Sequence, residues 1–137
     1  MEEFLDVKYV MVGSENFEDY LIFIGVGYIA RKAALTLRPT HSLTLNENGT
    51  YTFSFSSRLV NSSVTFALGV EFDEVKPDGI KVKSVITIED NKMIHIQREE
   101  NGRTSKHIRE FFHDKMIATT TAEGLDKIVK RFFEAVR

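Results

Sequence analysis

The 137-residue chain contains no cysteine, and that absence closes several kinds of chemistry at once. Disulfides, thiolate catalysis and cysteine-bound zinc are all excluded. Tryptophan is missing too, and proline occurs only twice. No charge of one sign dominates: 18 basic residues face 20 acidic ones, for a formal net charge of −2. Nucleic-acid binders usually carry a clear basic surplus, so no nucleic-acid partner is expected. The longest apolar run is Leu21-Ile22-Phe23-Ile24 with a glycine-rich continuation. It falls far short of the ~18 residues of a membrane span. The opening Met1-Glu2-Glu3-Phe4-Leu5-Asp6 is acidic where a secretory signal is basic. A cytoplasmic location is therefore expected, with access to the nucleus left open. Two sequons, Asn48-Gly49-Thr50 and Asn61-Ser62-Ser63, read as chance matches at turns.

What the chain does have is phenylalanine, 11 of them beside 4 tyrosines. Phenylalanine brings large apolar area with no polar atom, which suits a dry core or the wall of an apolar cavity. The length and the 42% hydrophobic content predict one globular domain over residues 1–137. Turn signals punctuate it: Asn48-Gly49, Gly69, Asp78-Gly79, Asp90-Asn91, Asn101-Gly102, His113-Asp114 and Glu123-Gly124. Beyond Gly69 they recur about every ten residues, the rhythm of an all-β sandwich or barrel. Between them the residues alternate, as in Thr50-Tyr51-Thr52-Phe53-Ser54-Phe55-Ser56, with three aromatics on one face. Ten strands are predicted, over 6–12, 38–46, 49–56, 60–67, 70–75, 79–88, 92–98, 104–112, 115–121 and 126–134.

One region departs from that rhythm. Phe17, Tyr20, Leu21 and Ile24 recur at helical spacing, with Ser14 as the expected N-cap and Glu15 and Glu18 near the positive helix end. Gly25-Val26-Gly27 interrupts the stripe, Tyr28 to Leu35 resumes it with Arg31 and Lys32 exposed, and Pro39 forbids its continuation. A helix-turn-helix thus falls between the first and second strands. Closing ten strands into a barrel removes their raw edges and encloses a hollow, with the helices as a lid over one end.

Two arginines bear on what the hollow does. Arg109 shares strand parity with His107 and Phe111, and Arg131 with Val129 and Phe133. If those faces point inward, two guanidiniums sit inside the barrel and require anions or ordered water. With one strand between them, their backbones lie about 10 Å apart, close enough to converge on one carboxylate. Parity alone leaves open the other direction, in which both face solvent.

The residues Tyr9, Ser14-Glu15-Asn16-Phe17-Glu18-Asp19-Tyr20-Leu21, Gly25-Val26-Gly27 and Arg31-Lys32 resemble the opening signature of the intracellular lipid-binding proteins, the fatty-acid-binding protein family. Leu68-Gly69-Val70-Glu71-Phe72-Asp73-Glu74, Lys81-Val82-Lys83-Ser84 and Arg109-Glu110 continue the resemblance in one register and in family order. It implies a ten-stranded up-and-down β-barrel with a helical portal lid, holding one long-chain fatty acid or similar acidic lipid and catalysing nothing. It also implies a carboxylate site at Arg109 and Arg131, and a cavity and portal lined by Phe17, Tyr20, Leu21, Ala33, Pro39, Leu59, Asp78 and Phe133. No cofactor is implied. The expected protein is a monomer that makes transient contact with membrane surfaces through its lid.

Departures from the family pattern bear on the ligand. Phe133 stands where the last strand's Arg-x-Tyr motif has its tyrosine, so a phenolic hydroxyl is missing. Tyr9 replaces the usual tryptophan, and Leu59 a common portal phenylalanine. A retinoid or a bile-acid-like ligand therefore stands as the alternative. A metalloenzyme reading would use His107-x-x-Glu110-x-x-His113, but on a strand Glu110 points away from His107 and His113 falls at a turn. Ser54, Ser56, Ser57, Ser62 and Ser63 lack a nucleophile-elbow pattern.

Overall fold

A computed structural model, which describes residues 1–76 and 79–137, joins ten antiparallel strands into one sheet. In chain order they are β1 (Lys8–Glu15), β2 (Thr40–Leu45), β3 (Tyr51–Ser56), β4 (Asn61–Phe66), β5 (Phe72–Val75), β6 (Lys81–Glu89), β7 (Lys92–Glu99), β8 (Thr104–Phe111), β9 (Lys115–Ala122) and β10 (Val129–Val136). Helices α1 (Phe17–Phe23) and α2 (Tyr28–Leu35) lie between β1 and β2, and a single 3-10 turn at Glu2–Phe4 precedes them. The spatial order is β4-β3-β2-β1-β10-β9-β8-β7-β6-β5, a meander whose first strand pairs with its last. Its edge strands β4 and β5 meet through side chains, with the ring of Phe66 stacked on that of Phe72 at 6.2 Å. The barrel is thus nearly closed.

The turns follow from their residues. Glu89 and Lys92 are partners across a two-residue turn, and Asp90 takes the positive φ of 53° that such a turn demands. Gly102, at φ 89°, closes the next hairpin by donating its N–H to the Glu99 carbonyl. Gly25, at φ 84°, stops α1 where a left-handed residue is needed.

Two strands depart most from the sequence reading. The first strand is not 6–12 but Lys8–Glu15, so Ser14 belongs to the sheet and is not the N-cap. The cap position falls to Asn16, at φ 59°, whose side-chain amide donates to the Ile128 carbonyl at 2.9 Å. A register shift between Met11 and Gly13, where β1 pairs with β10, bends the strand and carries its pairing up to the lid. The last strand likewise runs over Val129–Val136, later than 126–134.

Packing is unequal along the barrel axis. Away from the lid, Phe4, Tyr9, Leu43, Ile86, Met93, Phe111 and Met116 form a buried apolar plug. Phe4 stacks on Phe111, and Tyr9 meets Phe111 edge-on while donating its hydroxyl to the Phe112 carbonyl at 3.1 Å. Toward the lid, α1 buries Leu21 and leaves Phe17 and Tyr20 half-buried, whereas α2 buries no residue.

Candidate functional site

Strand register brings the two arginines together. Ala118 of β9 is the partner of Arg109 on β8 and also of Arg131 on β10. The three side chains therefore share one face and one row, with an alanine methyl between two long cationic arms. At the usual strand spacing the outer backbones lie about 10 Å apart. Arg109 and Ala118 are buried, and Arg131 is partly buried. Both arginines face inward, which settles the question that parity left open.

Aromatic rings pack on the guanidiniums, and the Glu74 carboxylate reaches Arg109 only through its charge. Arg109 lies 4.5 Å from the centroid of Phe53. Arg131 lies 5.3 Å from Phe17, on the lid, and 5.9 Å from Phe133. Ring faces attract cations but satisfy no N–H vector. Among the described residues neither arginine has a salt bridge, and Arg109 Nε and Nη1 are buried without a hydrogen-bond partner. Burial first, and then the charge of Arg131, lower the Arg109 pKa to about 9. Arg109 remains cationic at neutral pH, but uncomfortably so. Arg131 is lowered by burial as well, yet it keeps accessible surface.

A second polar group adjoins this row, running from β5 across β6, β7 and β8 to β9, and is fully connected. Glu74 Oε1 accepts from Ser84 Oγ at 2.7 Å and from Gln97 Nε2 at 3.0 Å, and it contacts His95 Nε2 at 2.9 Å. Gln97 Oε1 accepts from Ser105 Oγ at 3.2 Å and from His107 Nε2 at 2.9 Å. That bond fixes the His107 tautomer, so Nδ1 accepts from the Thr120 hydroxyl at 2.7 Å. Burial keeps both histidines below their ordinary pKa, His107 well below it. The His95–Glu74 contact at neutral pH is accordingly a hydrogen bond from a neutral ring, not an ion pair. Burial pushes the Glu74 carboxyl up, but the hydrogen bond from His95, the charge that His95 carries once acid protonates it, and the hydrogen bonds from Gln97 and Ser84 outweigh burial and hold the pKa at about 2.

The remaining expected lining residues are spread along the portal end. Phe17 and Tyr20 are half-buried on α1, and Tyr20 meets the His107 ring edge-on at 6.4 Å. Leu21 is buried in the same helix. Pro39 is buried before β2, with its carbonyl accepting from Met11 N–H at 3.0 Å. Phe133 is buried beside Arg131. Ala33 and Leu59 are exposed, Leu59 at 63% in the β3–β4 turn, so neither touches the arginine row from within. Asp78 lies outside the described residues. Among the described residues no cluster of three His, Asp or Glu side chains could hold a metal. Both ring nitrogens of His107 are already engaged, while His113 is exposed at the β8–β9 turn.

With the barrel, lid and paired arginines in place, comparison becomes informative. Residues 8–133 match the model of the lipocalin / cytosolic fatty-acid binding protein family. The chain belongs to that family. It is 43% identical over 114 residues to fatty acid-binding protein homolog 5 of Caenorhabditis elegans, covering 82% of this chain and 83% of the relative. It is 36% identical to the muscle fatty acid-binding protein of Schistocerca gregaria, covering 98% of each. The fatty-acid-binding protein of Drosophila melanogaster brain tissue superposes with a TM-score of 0.88 at 37% identity, over 96% of this chain and 99% of that one.

Within this family member, sequence reasoning missed His41, His95, Gln97 and Glu74 as interior groups. For His41 a signal existed: Pro39, His41 and Leu43 share parity and are buried, whereas Thr40, Ser42 and Thr44 are only partly so. For β7 the signal misled, because Ile94 and Ile96 take the outer face while His95 and Gln97 point inward.

Proposed function

We propose that this protein is a non-enzymatic carrier that holds one long-chain fatty acid, or a similar acidic lipid, inside the barrel. The observation that carries the reading is the inward pair Arg109 and Arg131, flanking Ala118 without any salt-bridge partner among the described residues. Two desolvated cations in one row call for an anion. A single carboxylate between them supplies it, with the chain running among Phe17, Phe55 and Phe72. Membership in a family of carriers supports the same reading, as does the arachidonic acid complex of the Schistosoma mansoni fatty acid binding protein, 30% identical with a TM-score of 0.88 over 100% of this chain and 98% of that one.

The energetics divide the labour. About fifteen methylenes at ~0.8 kcal/mol each give roughly 12 kcal/mol of gross burial energy. That exceeds what sub-micromolar binding requires after association costs of several kcal/mol. The tail supplies affinity, and the arginines choose the head group and its orientation.

The lid is the route to membranes. Tyr28, Ile29 and Ile22 are 66%, 84% and 54% exposed, an apolar surface at the portal beside Leu59 and Val60. Arg31 and Lys32 share the single carboxylate of Glu18, at 3.2 and 2.8 Å, which offsets one of their two charges, so docking combines apolar contact with one residual positive charge. The protein acts as a monomer in the cytoplasm, with the nucleus as a second place of delivery.

Native mass spectrometry of the purified protein, followed by extraction of what it carries, tests the reading. A bound fatty acid is the expected result. A retinoid or bile-acid-like molecule would transfer the reading to that class, and oleate affinity unaltered by Arg131→Leu would remove the carboxylate site.

A further inference from the structure

Among the described residues, two side chains carry buried polar atoms without a hydrogen-bond partner: Arg109, and His41 with both ring nitrogens. His41 sits on β2 at 1% exposure, opposite Tyr9 on one side and Phe55 on the other. Its ring packs against Phe133 at 4.5 Å and Phe53 at 5.2 Å. Those are the rings that carry the arginines, Arg109 on Phe53 and Arg131 on Phe133. The imidazole and both guanidiniums thus surround one pair of phenylalanines.

Packing alone does not account for a histidine here. A phenylalanine or leucine would fill the space without stranding polar atoms, and each stranded buried group is costly. Burial, followed by the charges of Arg131 and Arg109, holds the ring well below its ordinary pKa. At neutral pH it is uncharged, so it adds no third positive charge and still carries one N–H.

We propose that His41 is the third head-group contact of this site, donating a ring N–H to a carboxylate oxygen held between Arg109 and Arg131. It does so where Phe133 offers no hydroxyl. The inference rests on the carboxylate reading above and deepens it, because it assigns head-group selectivity to β2 as well as to the last strand. A carboxylate can accept from all three groups, whereas an ester carries no charge for them to meet.

The test compares oleate with methyl oleate on the wild type, His41→Phe and Arg131→Leu. His41→Phe is expected to weaken oleate about ten-fold, as loss of a hydrogen bond to a charged group does, and to leave methyl oleate unchanged. If Arg131→Leu weakens oleate but His41→Phe does not, or if His41→Phe weakens both ligands equally, the His41 assignment falls and the carboxylate site stands. If neither variant affects oleate, the carboxylate site falls too. A readout on the intact protein covers a variant that fails to fold. The ring 15N signals of His41 should shift on adding oleate and stay still on adding methyl oleate. Signals unmoved by oleate while Arg109 Nε moves would overturn the assignment.

Discussion

The barrel interior has two polar regions, finished in opposite ways. Around Glu74, the carboxylate, Ser84, His95, Gln97, Ser105, His107 and Thr120 form one connected chain of hydrogen bonds. Around Ala118, Arg109 and His41 keep buried atoms unmatched, and Arg131 is met by aromatic faces. Satisfied buried networks hold a structure in one arrangement, whereas unsatisfied groups cost stability until something answers them. The first region therefore belongs to the fold and the second, on the same strands β8 and β9, to the ligand. Substitutions should separate the two, stability moving on one side and affinity on the other.

The largest expected effect is on affinity, at the unsatisfied region. Arg109→Leu should weaken oleate about ten- to a hundred-fold, the loss of charged hydrogen bonds worth ~1.5–3 kcal/mol. The same variant should leave the ligand-free protein as stable as the wild type, or up to ~2 kcal/mol more stable, because a buried uncompensated charge is gone. Urea unfolding of delipidated protein and oleate titration read the two quantities. A destabilised variant with intact affinity would reverse the roles assigned to the regions. The pH dependence carries the same sign. A folded-state pKa near 9, below the unfolded arginine value, means that the Arg109 charge opposes folding at neutral pH and that this opposition fades as pH rises through about 9.

Next in size comes the satisfied region. Glu74→Gln should cost on the order of 2 kcal/mol at pH 7 while changing oleate affinity less than about three-fold. The folded pKa of about 2 lies below the ordinary value of 4.5, so the contribution is complete above about 4.5 and is lost as pH falls toward about 2. Thermal unfolding of the two proteins should therefore converge as the pH is lowered through that window. A gap that persists at pH 2 would mean the carboxylate charge is not what stabilises the network.

Much of the first contrast could be read in the sequence, and much of the second could not. Turn chemistry at Asn48-Gly49, Asp90-Asn91 and Asn101-Gly102 marks ten strands, because positive φ at such residues is a local requirement. The strand ends near the lid were less legible. The bulge near Met11 and Gly13 depends on pairing with β10, more than a hundred residues away, and no local signal moves Ser14 from cap to sheet. The arginine pair is half legible: parity gives two candidates, and only the shared partner Ala118 shows that they lie in one row. The Glu74 network hides because a polar interior inverts the usual rule. Inward His95 and Gln97 alternate with outward Ile94 and Ile96, the reverse of a strand packed on a dry core.

The smallest expected effect lies outside both regions, on the lid, and it separates capacity from delivery. α2 buries no residue, and Ile29 is 84% exposed, so Ile29→Ser removes apolar surface without opening a cavity. Stability should stay within about 0.5 kcal/mol and oleate affinity unchanged. What should fall, by a few-fold, is the rate at which a fluorescent fatty acid passes from the protein to phosphatidylcholine vesicles, together with its dependence on vesicle concentration. A rate independent of vesicle concentration in the wild type would mean that the ligand leaves through water before it reaches a bilayer. The exposed face of α2 would then need another explanation, while the division between the two inner regions would be untouched, since neither Arg109 nor Glu74 depends on Ile29 for a contact.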